Sequence, residues 1–207
     1  MIEPSVLIAY TLIVLGFVFI PGPATLLTVA RATGSGTRAG LATAAGIALG
    51  DVLHTVFAVV GLSAIVLTSA TLFTLVKILG AGYLIWIGVM TLLARPGQSE
   101  RSAARITPRR AFRQAILAEV LNPKTALFFL AFLPQFVDPS RGMVMGQLAV
   151  FGAIMIVLGF LATVLFALAA GRVSDVIREN AAFQRWQARI TGTLYCGLGL
   201  RIALADR

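Results

Sequence analysis

Charge is what this sequence has least of: charged residues occupy 12% of its 207 positions, about half the roughly 25% usual in soluble domains. Apolar residues fill 58% of the chain, and the mean hydropathy is +0.93. A soluble core of this size has no means of hiding so much apolar surface. An ordinary water-soluble domain is excluded, and lipid must be the solvent for much of the chain. Cysteine occurs once, as Cys196, which excludes an internal disulfide and a cysteine metal cluster. Histidine also occurs once, as His54; with a single deep aspartate this is too few ligands for a metal transporter. There is no Gly-x-x-x-x-Gly-Lys-Ser/Thr phosphate loop, so nothing points to ATP-driven transport. A His-Glu-x-x-His zinc helix and a Gly-x-Ser-x-Gly elbow are missing as well. Neither an enzyme nor a bound cofactor or metal is expected.

What is present is a series of long, continuous apolar runs. A spanning helix needs roughly 20 apolar residues, and continuous rather than alternating runs exclude a membrane barrel. The expected fold is an all-α integral membrane protein with six transmembrane helices. The spans are placed at about Ser5–Ala30, Gly40–Thr68, Leu72–Ala94, Ala111–Val137, Met143–Ala170 and, least securely, Ile190–Ala205. The first run lacks a basic leading segment and reads as a retained span rather than a cleaved signal. The net charge of +9 would suggest nucleic acid in a soluble protein. Here the arginines sit between apolar runs, as in cytoplasmic loops, so no nucleic-acid partner is expected. Arg31 and Arg38, the six arginines from Arg95 to Arg113, and Arg172, Arg178, Arg185 and Arg189 fall on one side of a six-span chain. Only Arg141, Arg207 and Arg201 oppose them. The crowded side is then cytoplasmic and both termini face outward.

The chain reads as one transporter domain over residues 1–207, with halves at about 1–94 and 111–207 joined by a basic cytoplasmic loop at 95–110. Pro23-Ala-Thr25 recurs as Pro123-Lys-Thr125, and Lys77-Ile-Leu-Gly80-Ala-Gly-Tyr83 as Arg189-Ile-Thr-Gly192-Thr-Leu-Tyr195. Three spans per half make this a three-plus-three inverted repeat, with helices 1 and 4 broken at matching proline motifs. Such breaks point to a transporter site near the bilayer midplane.

The first break is Pro21-Gly22-Pro23. Freed backbone groups within hydrocarbon need protein or water as partners, and there they can meet a zwitterion's carboxylate and ammonium. A plain kink is the competing reading; two prolines around a glycine and a second break favour a site. The second break, Asn122-Pro123-Lys124, puts an amide and a cation inside an apolar helix. An intramembrane lysine is a functional candidate unless it snorkels to the interface. Asp51 and His54, at i and i+3, share one helix face as a candidate proton-handling pair. Asp51 equally suits neutralising Lys124 or Lys77, and a lone His54 equally suits a packed residue. Glu119 either faces the same cavity as Asn122 or answers nearby arginines. Gly46-xxx-Gly50 reads as close helix packing, and Lys77 and Arg189 as interfacial anchors.

Three stretches resemble the lysine-exporter-type (LysE) amino-acid translocators, in particular their homoserine/threonine efflux branch. They are PGPATLLTVARATGSGTRAGLATAAGIALGDVLH at 21–54, VKILGAGYLIWIG at 76–88 and FRQAILAEVLNPKTALFFLAFLPQFV at 112–137. The likeness covers the chain from the first to the fourth span and weakens beyond. It implies a small secondary exporter of amino acids in the bacterial inner membrane, proton-coupled, with room for a homodimer. Family motif positions carry over onto Pro21, Gly22, Pro23, Gly46, Gly50, Asp51, Lys77, Gly80, Tyr83, Asn122, Pro123 and Lys124. The family usually has asparagine directly after Pro-Gly-Pro, whereas this chain has Ala24, which leaves the substrate open. The expected substrate site comprises Pro21, Gly22, Pro23, Asn122, Pro123 and Lys124, with Asp51, His54 and Glu119 carrying the coupling proton. In that scheme Lys124 and Asn122 meet the amino acid's carboxylate, while Asp51 with Glu119 meets its ammonium or carries the coupling proton. A transporter or channel for another solute and a non-transporting membrane component are the rival readings.

Overall fold

Proline decides where these helices begin and break. A computed structural model describes residues 2–62, 70–93 and 106–170, with single helical positions at 186, 189, 193, 196, 197 and 200. Helix α1, Pro4–Phe19, ends at Ile20, whose ψ of 111° leaves the helical region, as expected of a residue before proline. Gly22 is extended, and α2, Pro23–Ser35, starts with proline at its first position, where the missing N–H costs no hydrogen bond. The two helices bend by 48° at this break. Gly36, at φ 90°, turns the chain into α3, Thr37–Phe57, which runs on through a π turn at Ala58–Leu62. Helix α4 is Ala70–Leu93, and α5, Pro108–Val120, is capped by Thr107. Asn122 is again extended before proline, and α6, Pro123–Leu127, continues as π and 3-10 turns to Phe136. The bend at this second break is 46°. A short turn at Pro139–Arg141 leads into α7, Val144–Leu168.

Every described element is helical or a turn, with no strand among the described residues. Thr37–Gly61 and Val144–Leu168 are each 25 residues and apolar enough to cross a membrane, and each bent pair adds one candidate span. Helix α4 lies where the third span is expected. Of the expected sixth span at 190–205 only the single helical positions 193, 196, 197 and 200 are described; the loop at 95–105, Arg172, Arg178, Arg185, Arg201 and Arg207, and Gly192 and Tyr195 lie outside the described residues. The side chains of Lys77 and Tyr83 on α4 lie outside them too. Arg189 is helical and exposed.

Helix α3 is central, packed against α2, α5 and α7. Its small residues permit this. A Cβ at Gly50 would sit 2.6 Å from the Glu119 Cβ, and one at Gly46 would collide with the Phe112 carbonyl on α5. Across the other face, Gly152 of α7 lies against Thr55. Small residues at such crossings let backbones approach in lipid, where apolar burial between helices drives nothing. Away from the two breaks, Tyr10 packs against Phe136 and Phe151, at centroid distances of 5.0 and 4.6 Å. Its hydroxyl donates to the Phe151 carbonyl at 2.9 Å, tying α1 to α7. Large apolar side chains such as Leu12, Phe57, Leu130 and Leu165 point outward, as lipid contact requires. The chain is a multi-pass membrane protein.

Candidate functional site

The two breaks meet. Asn122 caps α6, its Oδ1 accepting the Lys124 backbone N–H at 3.0 Å. From that first turn the Lys124 side chain crosses to the end of α1. Its ammonium donates to the carbonyls of Phe17 at 3.2 Å and Ile20 at 3.0 Å, and lies 4.3 Å from the centre of the Phe17 ring. These carbonyls lie at the end of α1, where helical N–H partners run out and proline nitrogens at 21 and 23 offer none. A cation at a helix C-terminus is also favoured by the aligned peptide dipoles. Gly22 lets the fit be close: a Cβ there would stand 3.1 Å from Lys124 Cδ and 3.3 Å from Nζ, and the lysine would have to give way slightly. The ammonium is thus turned inward onto α1 rather than snorkelling to the interface.

Opposite lie two carboxyl groups, Asp51 from α3 and Glu119 from the last turn of α5, both 2% exposed. Glu119 is a hub. Its two oxygens accept from Asn122 Nδ2 at 3.2 and 3.1 Å, and Oε1 also accepts from the Thr125 hydroxyl. Glu119 therefore faces the breaks; the nearby Arg31 instead donates to Gln114 at 3.1 Å. Asp51 lies beside Glu119 and within electrostatic reach of Lys124. Its Oδ1 is buried with no hydrogen-bond partner among the described residues. Such a group carries a desolvation cost that a ligand or water would relieve. His54 Nε2 lies 3.0 Å from the Glu119 carbonyl oxygen, and its ring stacks on Phe129 at 5.6 Å. The imidazole thus braces the turn that carries Glu119.

Between these groups is a cavity of about 40 Å³. Its polar lining is Thr25, Asp51, Glu119, Asn122, Lys124, Thr125 and Thr163, and its apolar lining includes Phe17, Val18, Ile47 and Met155, with Gly22, Ala24 and Gly159 completing the wall. One water needs roughly 10–15 Å³ on this measure, so there is room for about three waters. Ligand pockets run to hundreds of Å³, so this space is water-sized rather than ligand-sized.

Of the expected residues, Gly22, Asp51, Glu119, Asn122 and Lys124 converge on the cavity. Pro21 and Pro23 shape the break without lining it, Pro123 begins α6, and His54 stands behind Glu119. Thr25 and Thr125 were not singled out as site residues. Their signal was available, since they occupy the same place in the two Pro-x-Thr motifs. Phe17, Met155, Gly159 and Thr163 were also missed; the last three lie on a span without charge, where sequence carries no mark. No cluster of three or more metal-ligating side chains occurs among the described residues.

A family model described as LysE type translocator matches residues 15–206. The uncharacterized membrane protein YrhP of Bacillus subtilis is 33% identical, over 96% of this chain and 99% of its own. An uncharacterized membrane protein of Vibrio cholerae is 29% identical, over 96% of each chain. A protein of Salmonella typhimurium named leucine efflux protein is 27% identical, over 90% of this chain and 89% of its own. No solved structure matches the chain significantly.

Proposed function

The chain belongs to the LysE type translocator family, and from that premise we propose that it exports amino acids across the bacterial inner membrane by proton-coupled secondary transport. The observation that carries the reading is the charge pattern of the buried cavity: one ammonium, Lys124, opposite two carboxyl groups, Asp51 and Glu119. This is the complement of an amino acid, whose carboxylate and ammonium stand on one carbon. A relative named leucine efflux protein supports the same substrate class. Membership of a translocator family accords with the absence of enzyme activity.

In this reading the carboxylate meets Lys124 and the first turn of α2. A helix N-terminus attracts anions, and α2 begins at Pro23 beside the cavity. The ammonium meets Asp51 and Glu119, and the unpartnered Asp51 oxygen gains a donor. Two acids facing one base leave a carboxyl free to exchange a proton when the substrate departs. The arginine-rich loops face the cytoplasm, and the two halves form an inverted repeat around the site.

The test is flux in vesicles reconstituted with the whole chain, measured with labelled amino acids with and without a pH gradient. Gradient-driven flux that becomes indifferent to the gradient in Asp51→Asn is the expected result. Flux of no amino acid, from vesicles whose protein is folded, would end the export reading. Flux that ignores the gradient in the unaltered protein would end the proton part alone.

A further inference from the structure

Gly46, Gly50 and His54 stand four residues apart along one stripe of α3. The first two bring backbones together: a Cβ at Gly46 would collide with the Phe112 carbonyl, and one at Gly50 with the Glu119 side chain. At the third position, where α5 ends, the stripe carries an imidazole instead. The last carbonyls of a helix lack partners within it, and His54 Nε2 lies 3.0 Å from the Glu119 carbonyl oxygen. The same oxygen accepts the Asn122 backbone N–H at 3.0 Å, so it sits at the edge of the second break. Past the break, the imidazole stacks on Phe129, with 5.6 Å between centroids and 16° between planes, and Phe129 belongs to the π turn that continues α6. One side chain of α3 therefore touches the chain on both sides of Asn122-Pro123-Lys124.

We propose that His54 is a positioning residue of the transport site, holding the second break so that Glu119, Asn122 and Lys124 meet the substrate, and that it does not carry the coupling proton. This deepens the amino-acid export reading and rests on it. A carbonyl oxygen only accepts, so Nε2 bears a hydrogen in this contact. A further proton on the ring would go to Nδ1, and His54 does not line the cavity in which substrate and proton would be exchanged. The ring is committed instead to one directed hydrogen bond and one flat stacking face, the two contacts that fix an orientation. The path from His54 to the site is short. The residue whose carbonyl it holds also accepts, through its carboxyl group, from Asn122 Nδ2 and the Thr125 hydroxyl. Asn122 in turn caps the Lys124 backbone N–H at 3.0 Å. A shift of the Glu119 carbonyl therefore reaches the turn that carries the ammonium through two residues.

The test is the concentration dependence of flux in vesicles, with and without a pH gradient, for the whole chain and for His54→Gln and His54→Phe. The probe is labelled leucine, threonine or lysine, whichever the unaltered protein moves fastest. Glutamine keeps an amide N–H near the place of Nε2, whereas phenylalanine keeps a ring for Phe129 and loses the donor. His54→Phe should raise the half-saturating concentration by about threefold to tenfold, the worth of one hydrogen bond, and keep its response to the gradient. His54→Gln should return it to within about twofold of the parent. If the phenylalanine variant does not insert, His54→Asn, whose amide is too short to reach Glu119, makes the same comparison. A role in folding alone would lower maximal flux and leave half-saturation unchanged, and that result overturns the positioning role. A glutamine variant no better than the variant lacking the donor does the same. Loss of the gradient response in both variants, with flux down a concentration gradient retained, makes His54 a proton carrier and overturns the proposal while export stands. Flux of no amino acid in the unaltered, folded protein overturns the export reading and this inference with it.

Discussion

Replacing Lys124 by methionine keeps most of the side chain's length and removes only the ammonium. The structure sets the cost. Two charge-assisted hydrogen bonds, to Phe17 O and Ile20 O, disappear together, and an N–H partner for those carbonyls cannot come from the prolines that follow. A buried carbonyl left unpaired costs about 1–3 kcal/mol, so the ceiling is roughly 6 kcal/mol. Room for about three waters in the cavity lets one of them reach a freed carbonyl, which moves the expectation to about 2–4 kcal/mol. On the scaling of soluble domains this size, that is a fall in Tm of roughly 5–15 °C. Arginine should not rescue it. Its planar fork is wider than an ammonium, and Gly22 already stands so close that a single added Cβ would lie 3.1 Å from Lys124 Cδ. The assay is thermal melting of purified protein in detergent, paired with flux in vesicles. If Lys124→Met melts within about 2 °C of the parent and still transports, Lys124 neither holds the break nor binds substrate.

Glu119→Gln keeps the shape of the hub but turns one acceptor into a donor facing Asn122 Nδ2. It should cost about 1–3 kcal/mol in detergent melting and weaken gradient-driven flux; an unchanged melt refutes the hub. Gly50→Ala puts a Cβ 2.6 Å from that of Glu119, so it should destabilise by about 1–3 kcal/mol and lower flux. Gly16→Ala, where nothing lies within 4 Å, is the control: helix propensity predicts no loss and a gain of up to about 1 kcal/mol. Equal melts for the two would discredit the α3–α5 fit. In the turn at Pro139–Arg141, the Ser140 hydroxyl, its N–H and Arg141 hold the Asp138 carboxyl below its usual range. A depressed folded-state pKa gives stability that is present above the ordinary value of 3.8 and lost as pH falls through the lower one. Asp138→Asn should therefore leave the pH profile of flux between about pH 5 and 8 unchanged, and a profile that moves would place a working titration in this turn.

Both breaks were legible in the sequence because proline's missing N–H and the extended residue before it are local chemistry. Up to four spans among the described residues were legible because apolar run length is itself the signal, and those helices begin and end within a few residues of expectation. Lys124 was harder. A lysine in an apolar run has two outlets, interface or interior, and only the position of α1 across a hundred residues of chain decides between them. Gly46 and Gly50 were read as packing alone. The structure adds that the missing Cβ at Gly50 is what brings Glu119 beside Asp51, so a packing glycine creates the paired acids. Glu119 itself was ambiguous for the same reason: its environment is supplied by α3, and spacing within α5 does not carry that information. On α7 the wall residues Met155 and Gly159 sit among many similar apolar neighbours, and nothing local separates a cavity-facing position from a lipid-facing one.

The geometry also places two demands on one ammonium. Lys124 already serves the Phe17 and Ile20 carbonyls, and an arriving carboxylate would have to share it or take it. Sharing draws Lys124 toward the α2 turn and strains its bonds to α1; taking it frees the carbonyls that end α1. Either way, occupancy of the cavity is felt at the 48° bend between α1 and α2, through contacts that already exist. Asp51 shares a side-chain hydrogen bond with Glu119, but its Oδ1 is unpartnered among the described residues and its removal strands no backbone group. A defect in Lys124→Met therefore mixes binding with the integrity of the break, whereas a defect in Asp51→Asn reports the site more directly. Transport lost in both, with stability lost only in the lysine variant, is the pattern this division of labour requires.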